Sequence, residues 1–249
     1  MDSRIATDTS KPMAVIFLDI EGVLLNPSDK KINETAHALI EEWQTPFYNY
    51  SISLKRAMTH QFSQPALNNL MELIKKISKV AKVGIVISSP WREELPIEGL
   101  IDEIFIDTPF VDCIIDKIPD SHFRYLVGQF DGKISPKREL PTDIATKKYG
   151  FSLTDDDRGK EIDFWLRENW ERFQIDRFVI INNYDQKIVD RYPDHIVQIH
   201  PQRLFSEHEA DEAYHVLLKS ARLPQLEEGI SAESEEEIPT RHEGCCVIS

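Results

Sequence analysis

Apolar residues along the chain form short continuous runs that are separated by segments with helical spacing. The clearest runs lie at 14–18 (AVIFL), 83–87 (VGIVI) and 177–181 (RFVII), with a shorter run at 196–199 and a candidate at 103–106. Runs that do not alternate with polar residues are typical of strands covered on both faces of a parallel sheet. The pattern therefore predicts four or five buried parallel strands.

Between these runs, apolar residues recur three and four positions apart, which predicts helices. Ser63 and Pro65 mark the start of one helix, and its apolar face carries Leu67, Leu70, Met71, Ile74 and Ile77. Thr154 followed by Asp157 forms a capping box ahead of a second helix, and residues 206–220 form a last one. Strands that alternate with helices predict an α/β fold with helices on both faces of the sheet.

The chain divides into an arm, one core domain and a tail. Residues 1–12 form a flexible arm, and residues 13–222 form the core, which includes a cap-like helical insertion at 27–60. Residues 107–153 are interrupted by prolines and show no clear pattern. Residues 223–249 are rich in glutamate and have little to bury, so we expect a disordered acidic tail.

Composition narrows the possible partners. The chain has 43 acidic and 29 basic residues and a net charge of −14, so nucleic acids are not expected as partners. No apolar run approaches the roughly 20 residues that span a bilayer, and we expect a soluble body. Cys113, Cys245 and Cys246 give neither a zinc spacing nor a disulfide framework, which favours a reducing compartment.

Polar side chains follow three of the predicted strands. Asp19 and Glu21 come after the first strand, Ser88 comes after the second in SSPWR, and Asn182 and Asn183 come after the fourth in NNYD. Since the carboxyl ends of parallel strands meet at one edge, which is where ligands bind, these side chains are expected to surround one site.

In order and spacing, these motifs resemble those of the haloacid dehalogenase-like (HAD) hydrolases over roughly residues 14–205, most strongly at 15–24. SSPWR and RGKEIDFWL also resemble the HAD domains of Swiss Army Knife RNA-repair proteins. The resemblance implies a Rossmann-like parallel sheet with a small helical cap. It also implies a Mg²⁺-dependent phosphatase that acts on a phosphorylated small molecule or phosphoprotein through an aspartyl-phosphate.

The resemblance also implies a role for each residue. Asp19 is the nucleophile, Glu21 is the acid and base, and Ser88 holds a phosphoryl oxygen. Arg158 or Lys160 supplies the cation that steadies the phosphate.

The implied Mg²⁺ ligands are Asp19, the carbonyl of Glu21, and Asn183, with Asn182 and Asp185 as alternatives to Asn183. The acid/base position usually carries Asp and the metal motif usually includes Asp. The chain therefore also fits a second hypothesis, a catalytically degenerate HAD domain that binds a phosphorylated ligand or a protein at a membrane. A third, the processing of RNA ends, is opposed by the net charge.

The last four residues, CVIS, match a CaaX prenylation motif with Cys246 as the farnesyl acceptor. One lipid chain anchors weakly and the tail is acidic, so Cys245 is expected to carry palmitate. These features predict a prenyltransferase as a partner and a location on the cytosolic face of a eukaryotic membrane. In a bacterial protein they would indicate an effector that its host modifies.

Overall fold

The computed structural model describes residues 11–26, 55–93, 95–119, 157–183, 185–200 and 203–219. Within these ranges, five parallel strands form one sheet in the order β3-β2-β1-β4-β5. The strands are β1 (Met13–Leu18), β2 (Lys82–Ile87), β3 (Ile114–Lys117), β4 (Ile175–Asn182) and β5 (Ile196–Gln198). The parallel sheet confirms the predicted α/β class.

Four helices of six residues or more accompany the sheet in the described ranges: α1 (Gln64–Ser78), α2 (Arg158–Asn169), α3 (Gln186–Arg191) and α4 (Glu207–Lys219). The predicted start of α1 is confirmed, because the Ser63 hydroxyl accepts the Ala66 N–H and Pro65 lies in the first turn. Asp157 itself caps α2 by accepting the Lys160 N–H. Thr154, the other half of the predicted capping box, lies outside the described residues.

The two faces of the sheet are covered by different helices. Alternate residues of β1 point to opposite faces: Ile16 and Leu18 join one apolar cluster, and Val15 and Phe17 join the other. The first cluster includes residues of α1 and α4, and the second includes residues of α2 and α3. This double coverage explains why β1 is apolar throughout, and it confirms the prediction of helices on both faces.

The predicted strand at 103–106 is wrong. Glu103 belongs instead to a π-helical segment, Leu100–Ile104, and the edge strand of the sheet is β3. Leu100, Ile104 and Phe105 are fully buried, whereas Glu103 is exposed. A helical turn buries all three apolar residues on one side, and that burial overrides the strand-like pattern of the short run.

Several predictions lie mainly outside the described residues and stay predictions: the arm, most of the insertion at 27–60, and the tail with Cys245 and Cys246. Of the insertion, residues 55–60 are described, with a helix at 55–59 whose Met58 packs against the core. Within the described ranges, no helix has the length and apolar character needed to cross a membrane.

The strand order places a switch point of the sheet next to β1. The chain runs outward from β1 through β2 to β3, and then returns to place β4 on the other side of β1. At such a switch point the connections leave in opposite directions, and the carboxyl ends of the two strands are where a ligand cleft is expected. Asp19 follows β1 and Asn183 follows β4, so both lie at this cleft.

Candidate active site

Asp19 is the buried carboxylate at the centre of the cleft. Its N–H donates to the Ile181 carbonyl at 3.0 Å, which extends the pairing of β1 with β4 by one residue. Its side chain accepts the Ile20 N–H at 2.9 Å through Oδ1 and the Arg158 guanidinium at 3.2 Å through Oδ2. Burial raises the pKa of Asp19 above its usual range, although Arg158 acts in the opposite direction. The carboxyl group is thus held in a poorly solvated place, where its ionised form reacts more readily with an electrophile than a hydrated carboxylate does.

Arg158 is the cation that reaches Asp19. It is the first residue of α2, and its Nε also donates to Asp185 Oδ2 at 3.2 Å. The Arg158 side chain is 21% exposed, so a ligand entering the cleft can reach it. Lys160, the other candidate cation, instead pairs with Asp157 at 3.4 Å. The structure therefore brings Arg158 and Asp19 together and places Lys160 at the start of its own helix.

Ser88 lies beside the end of β1. Its N–H donates to the Leu18 carbonyl at 3.0 Å, which places it one strand away from Asp19. Its hydroxyl oxygen is fully buried and has no hydrogen-bond partner among the described residues. Buried hydroxyl groups nearly always have a partner, so this one is suited to a ligand atom.

Glu21 is held by a residue that the sequence did not point to. The Trp91 indole N–H donates to Glu21 Oε1 at 3.0 Å, and the ring itself is buried. Burial alone would be explained by core packing, but the bond to Glu21 gives Trp91 a polar contact as well. An indole can both fill a core and offer one donor at its edge, but nothing in SSPWR tells which carboxylate that donor meets.

The turn after Glu21 requires glycine. Gly22 has a φ of +77°, and a Cβ at this position would lie 2.7 Å from the Cβ of Asn183. Asn183 therefore packs directly against the turn that carries Glu21. The neighbouring Asn182 is fully buried at the end of β4, where its carbonyl accepts the Ile199 N–H at 2.8 Å. Of the two asparagines, Asn183 is the one that the structure places against the β1 turn.

Asp185 has a structural part as well as a place near the site. Its Oδ1 accepts the N–H of Lys187 at 3.0 Å at the start of α3, while its Oδ2 binds Arg158.

The described ranges contain no group of three or more His, Cys, Asp or Glu side chains that could hold a metal. The oxygen donors at the cleft are instead the Asp19 carboxylate, the Asn183 amide and the main chain of the β1 turn. Such hard donors fit Mg²⁺ and not a metal that prefers thiolate or imidazole.

A buried ion pair fixes the loop after β2 to helix α2. Arg92 donates to Glu161 Oε2 at 2.7 Å and to the Ser88 carbonyl at 3.2 Å, and the two side chains are 4% and 2% exposed. Lys117, at the end of β3, donates to the carbonyls of Arg92 and Leu95. These contacts hold Ser88 and the first turns of α2 in one arrangement. Sequence reasoning did not identify the pair, although Arg92 lies in SSPWR and Glu161 in RGKEIDFWL.

Comparisons with known proteins match this arrangement to a family. No curated protein and no solved structure matches the chain. Residues 15–210 match the family described as the HAD domain in Swiss Army Knife RNA repair proteins, and this range contains all of the site residues described above. The chain therefore belongs to the HAD-like superfamily, as a HAD domain of the type found in Swiss Army Knife RNA repair proteins.

Proposed function

We propose that this protein is a Mg²⁺-dependent phosphomonoester hydrolase that works through an aspartyl-phosphate at Asp19. Family membership indicates a hydrolase of phosphatase type in general. The observation that carries the finer proposal is the buried Asp19 carboxylate in contact with Arg158, one strand away from the Ser88 hydroxyl, which has no partner within the described part of the chain. A nucleophile, a cation and a hydroxyl donor are the groups that phosphoryl transfer needs around a phosphate.

In the first half of the reaction, Asp19 attacks phosphorus and the bond to the ester oxygen breaks. Glu21 gives its proton to that leaving oxygen, so an alcohol departs and a phosphoryl group stays on Asp19. Arg158 and Ser88 bind the non-bridging oxygens. Because Arg158 also contacts Asp185, it keeps one anchor when its bond to Asp19 gives way to the phosphate.

In the second half, water attacks the phosphorus of the aspartyl-phosphate. Glu21, now ionised, takes the proton from that water, and the bond between phosphorus and the Asp19 oxygen breaks. Inorganic phosphate leaves, Asp19 is again a carboxylate and Glu21 is again protonated. The net reaction is hydrolysis, and it consumes no other reagent.

Asp19, the main-chain carbonyl of Glu21 and the Asn183 amide would hold the Mg²⁺ ion. When bound, the ion neutralises charge on the phosphoryl oxygens. The donor set has one carboxylate, and fewer anionic ligands give weaker binding. We therefore expect activity to require Mg²⁺ at a roughly millimolar concentration.

The direct test measures phosphate release from p-nitrophenyl phosphate with Mg²⁺ and with EDTA. We expect Mg²⁺-dependent release that Asp19→Asn abolishes. Asp102→Asn is the matched control, since it removes an exposed carboxylate in the described part of the chain that lies outside the site. Equal rates for wild type and Asp19→Asn would reject the enzyme proposal.

A second candidate function is a domain that binds a phosphorylated ligand without turnover. The observation in its favour is that the Asp19 carboxylate is already bonded to Arg158 and the Ile20 N–H, as in a closed resting site. Calorimetry separates the two functions. A binding module would keep its affinity for phosphopeptides or phosphosugars in EDTA, whereas the enzyme would form a beryllofluoride adduct at Asp19 only with Mg²⁺.

We also propose that the C-terminus is lipidated, with a farnesyl group on Cys246 and palmitate on Cys245, and that this places the protein on the cytosolic face of a eukaryotic membrane. The support is the CVIS sequence at the end of an acidic tail. Incubation of the full chain with farnesyltransferase and a farnesyl donor should add one farnesyl mass, and Cys246→Ser should remove that addition. An unmodified wild-type chain would contradict the proposal.

A further inference from the structure

We infer that Trp91 is a positioning residue for Glu21: its indole N–H holds one oxygen of the Glu21 carboxyl, so that the other oxygen exchanges the proton in both halves of the reaction. The inference rests on the proposed function, in which Glu21 is the acid and base. It adds a residue that acts through Glu21 and does not itself touch the reacting atoms.

The contact joins a fixed donor to a more exposed acceptor. Trp91 Nε1 lies 3.0 Å from Glu21 Oε1, and the Trp91 residue is 1% exposed whereas Glu21 is only partly buried. The Trp91 ring stacks on Phe105, with 6.1 Å between centroids and 22° between planes, and Phe62 lies against it at 6.0 Å. Close packing on its neighbours leaves the indole no room to rotate, so its N–H points in one direction.

The main chain of Trp91 is held as well. Trp91 lies in the 3₁₀ turn Pro90–Glu93, where its N–H donates to Ser89 Oγ at 3.4 Å. The next residue, Arg92, makes the buried pair with Glu161. The donor is therefore anchored by the aromatic cluster around its side chain and by the side-chain ion pair of the next residue, Arg92.

The chemistry of the indole favours one Glu21 oxygen for proton exchange. An indole N–H donates and cannot accept, and the carbonyl oxygen of a carboxylic acid accepts better than its hydroxyl oxygen. The bond to Oε1 therefore favours a Glu21 proton on Oε2. The same bond is compatible with Glu21 as an acid in the first half of the reaction and as a base in the second.

Glutamate needs such a contact more than aspartate would. Its side chain has one more rotatable bond, and a misplacement of about 1 Å can cost on the order of 10²-fold in rate. Replacing Glu21 with Asp shortens the side chain by one methylene, which moves the carboxyl out of hydrogen-bond reach of Trp91. The contribution of Trp91 should therefore depend on which residue occupies position 21.

A double-mutant cycle tests this dependence with Trp91→Phe, which keeps a ring and removes the N–H, and Glu21→Asp. With Glu21 present, we expect Trp91→Phe to lower kcat about tenfold and to leave KM within about twofold. In the Glu21→Asp protein, we expect the same change to lower kcat less than about twofold. Equal losses in both proteins would show that Trp91 only supports the core, and would overturn the inference.

Trp165→Phe is the matched control. Trp165 is also a buried tryptophan, and its indole N–H donates to Asp116 Oδ2 at 2.8 Å on the opposite face of the sheet. The change removes the same kind of bond far from Glu21. Any effect on kcat should therefore be the same with Glu21 and with Asp at position 21, and a coupling as large as that of Trp91 would overturn the inference.

Nuclear magnetic resonance of the ¹⁵N-labelled indole groups tests the contact without turnover. The Trp91 signal, identified by its loss in Trp91→Phe, should move upfield in Glu21→Ala, while the Trp165 signal stays in place. If the wild type turns over substrate but the Trp91 signal does not move in Glu21→Ala, the inference about Trp91 would be overturned while the proposed function would stand. A signal that moves in a protein without Mg²⁺-dependent turnover would reject the proposed function, and with it the role assigned to Trp91.

Discussion

Two arginine–carboxylate pairs join helix α2 to the carboxyl edge of the sheet, and they differ in how closed they are. Arg158, on α2, reaches Asp19 after β1 at 3.2 Å and is 21% exposed. Arg92, after β2, reaches Glu161 on α2 at 2.7 Å and is 4% exposed. Arg158 also contacts the carboxylate of Asp185, whereas Arg92 also contacts the carbonyl of Ser88.

The difference in exposure suggests two roles: the Arg158 pair can exchange its carboxylate for a phosphate, and the Arg92 pair holds helix α2 in place. A partly solvated guanidinium with longer bonds can give up a carboxylate for a phosphate at low cost. A sealed pair cannot change partners without leaving a charge buried. Since both pairs share α2, the closed pair holds the helix while the open pair faces the cleft. The predictions below test this division, beginning with the largest effect.

Arg92→Ala is expected to lower the free energy of unfolding by about 3–5 kcal/mol, because it removes the guanidinium from the buried Glu161 carboxylate. Urea denaturation followed by circular dichroism measures the change. Arg92→Met combined with Glu161→Leu is the control, and it should recover most of the loss because it removes both charges and keeps the volume. A loss below about 1 kcal/mol for Arg92→Ala would contradict the description of this pair as closed.

Arg158→Ala is expected to reduce kcat/KM by about 10²–10³-fold, as for other losses of one group that stabilises a transition-state charge. Its effect on the free energy of unfolding should be smaller than that of Arg92→Ala, because the Arg158 guanidinium is 21% exposed and the buried Asp19 carboxylate keeps its bond from the Ile20 N–H. Steady-state kinetics and urea denaturation measure both quantities on the same protein. Arg158→Lys should recover part of the activity. A large loss of stability with little loss of activity would reverse the comparison between the two arginines.

Asp19→Asn is expected to raise the free energy of unfolding by about 0.5–2 kcal/mol in EDTA at neutral pH while it removes activity, since replacing strained functional groups commonly stabilises. The cause is the raised pKa of Asp19, which reflects the cost of burying its ionised form. Differential scanning calorimetry of both proteins measures the gain, with Asp102→Asn as the surface control.

The pH dependence of this gain follows from the direction of the shift. The folded state holds the Asp19 proton to a higher pH than the unfolded state, so stability falls as pH rises from the unfolded pKa of 3.8 through the folded pKa. Asp19→Asn lacks this fall. Its advantage should therefore vanish below about pH 3.8 and grow above it. An advantage that does not vary between pH 3 and 7 would show that the carboxylate carries no such cost.

The sheet and the groups at its edge could be predicted from the sequence because each depends on local pattern. A strand buried on both faces, such as β1, leaves a continuous apolar run, and a capping serine before α1 leaves a readable start. Asp19 and Ser88 follow such runs directly, so strand geometry alone places them at one edge. Their positions required no knowledge of long-range packing.

Contacts between residues far apart in the chain could not be predicted in this way. The bond from Trp91 to Glu21 spans 70 residues, and the pair of Arg92 with Glu161 spans 69. No periodicity records which carboxylate a buried donor will meet. The strand at 103–106 was wrong for a related reason, since Phe105 packs on Trp91 and that contact favours a helical turn.

The smallest expected effect concerns which of the two cations on α2, Arg158 or Lys160, binds the phosphate. Lys160 pairs with Asp157 at the start of its own helix, and both side chains are partly exposed. Lys160→Ala should therefore change kcat/KM less than about threefold and the free energy of unfolding by less than about 0.5 kcal/mol, as for other exposed pairs. The same kinetic and denaturation measurements used for Arg158→Ala apply, so the two variants are directly comparable. A loss of activity with Lys160→Ala that equals the loss with Arg158→Ala would mean that the phosphate is held by the exposed end of α2, and the open pair at Asp19 would then be a resting contact that substrate does not use.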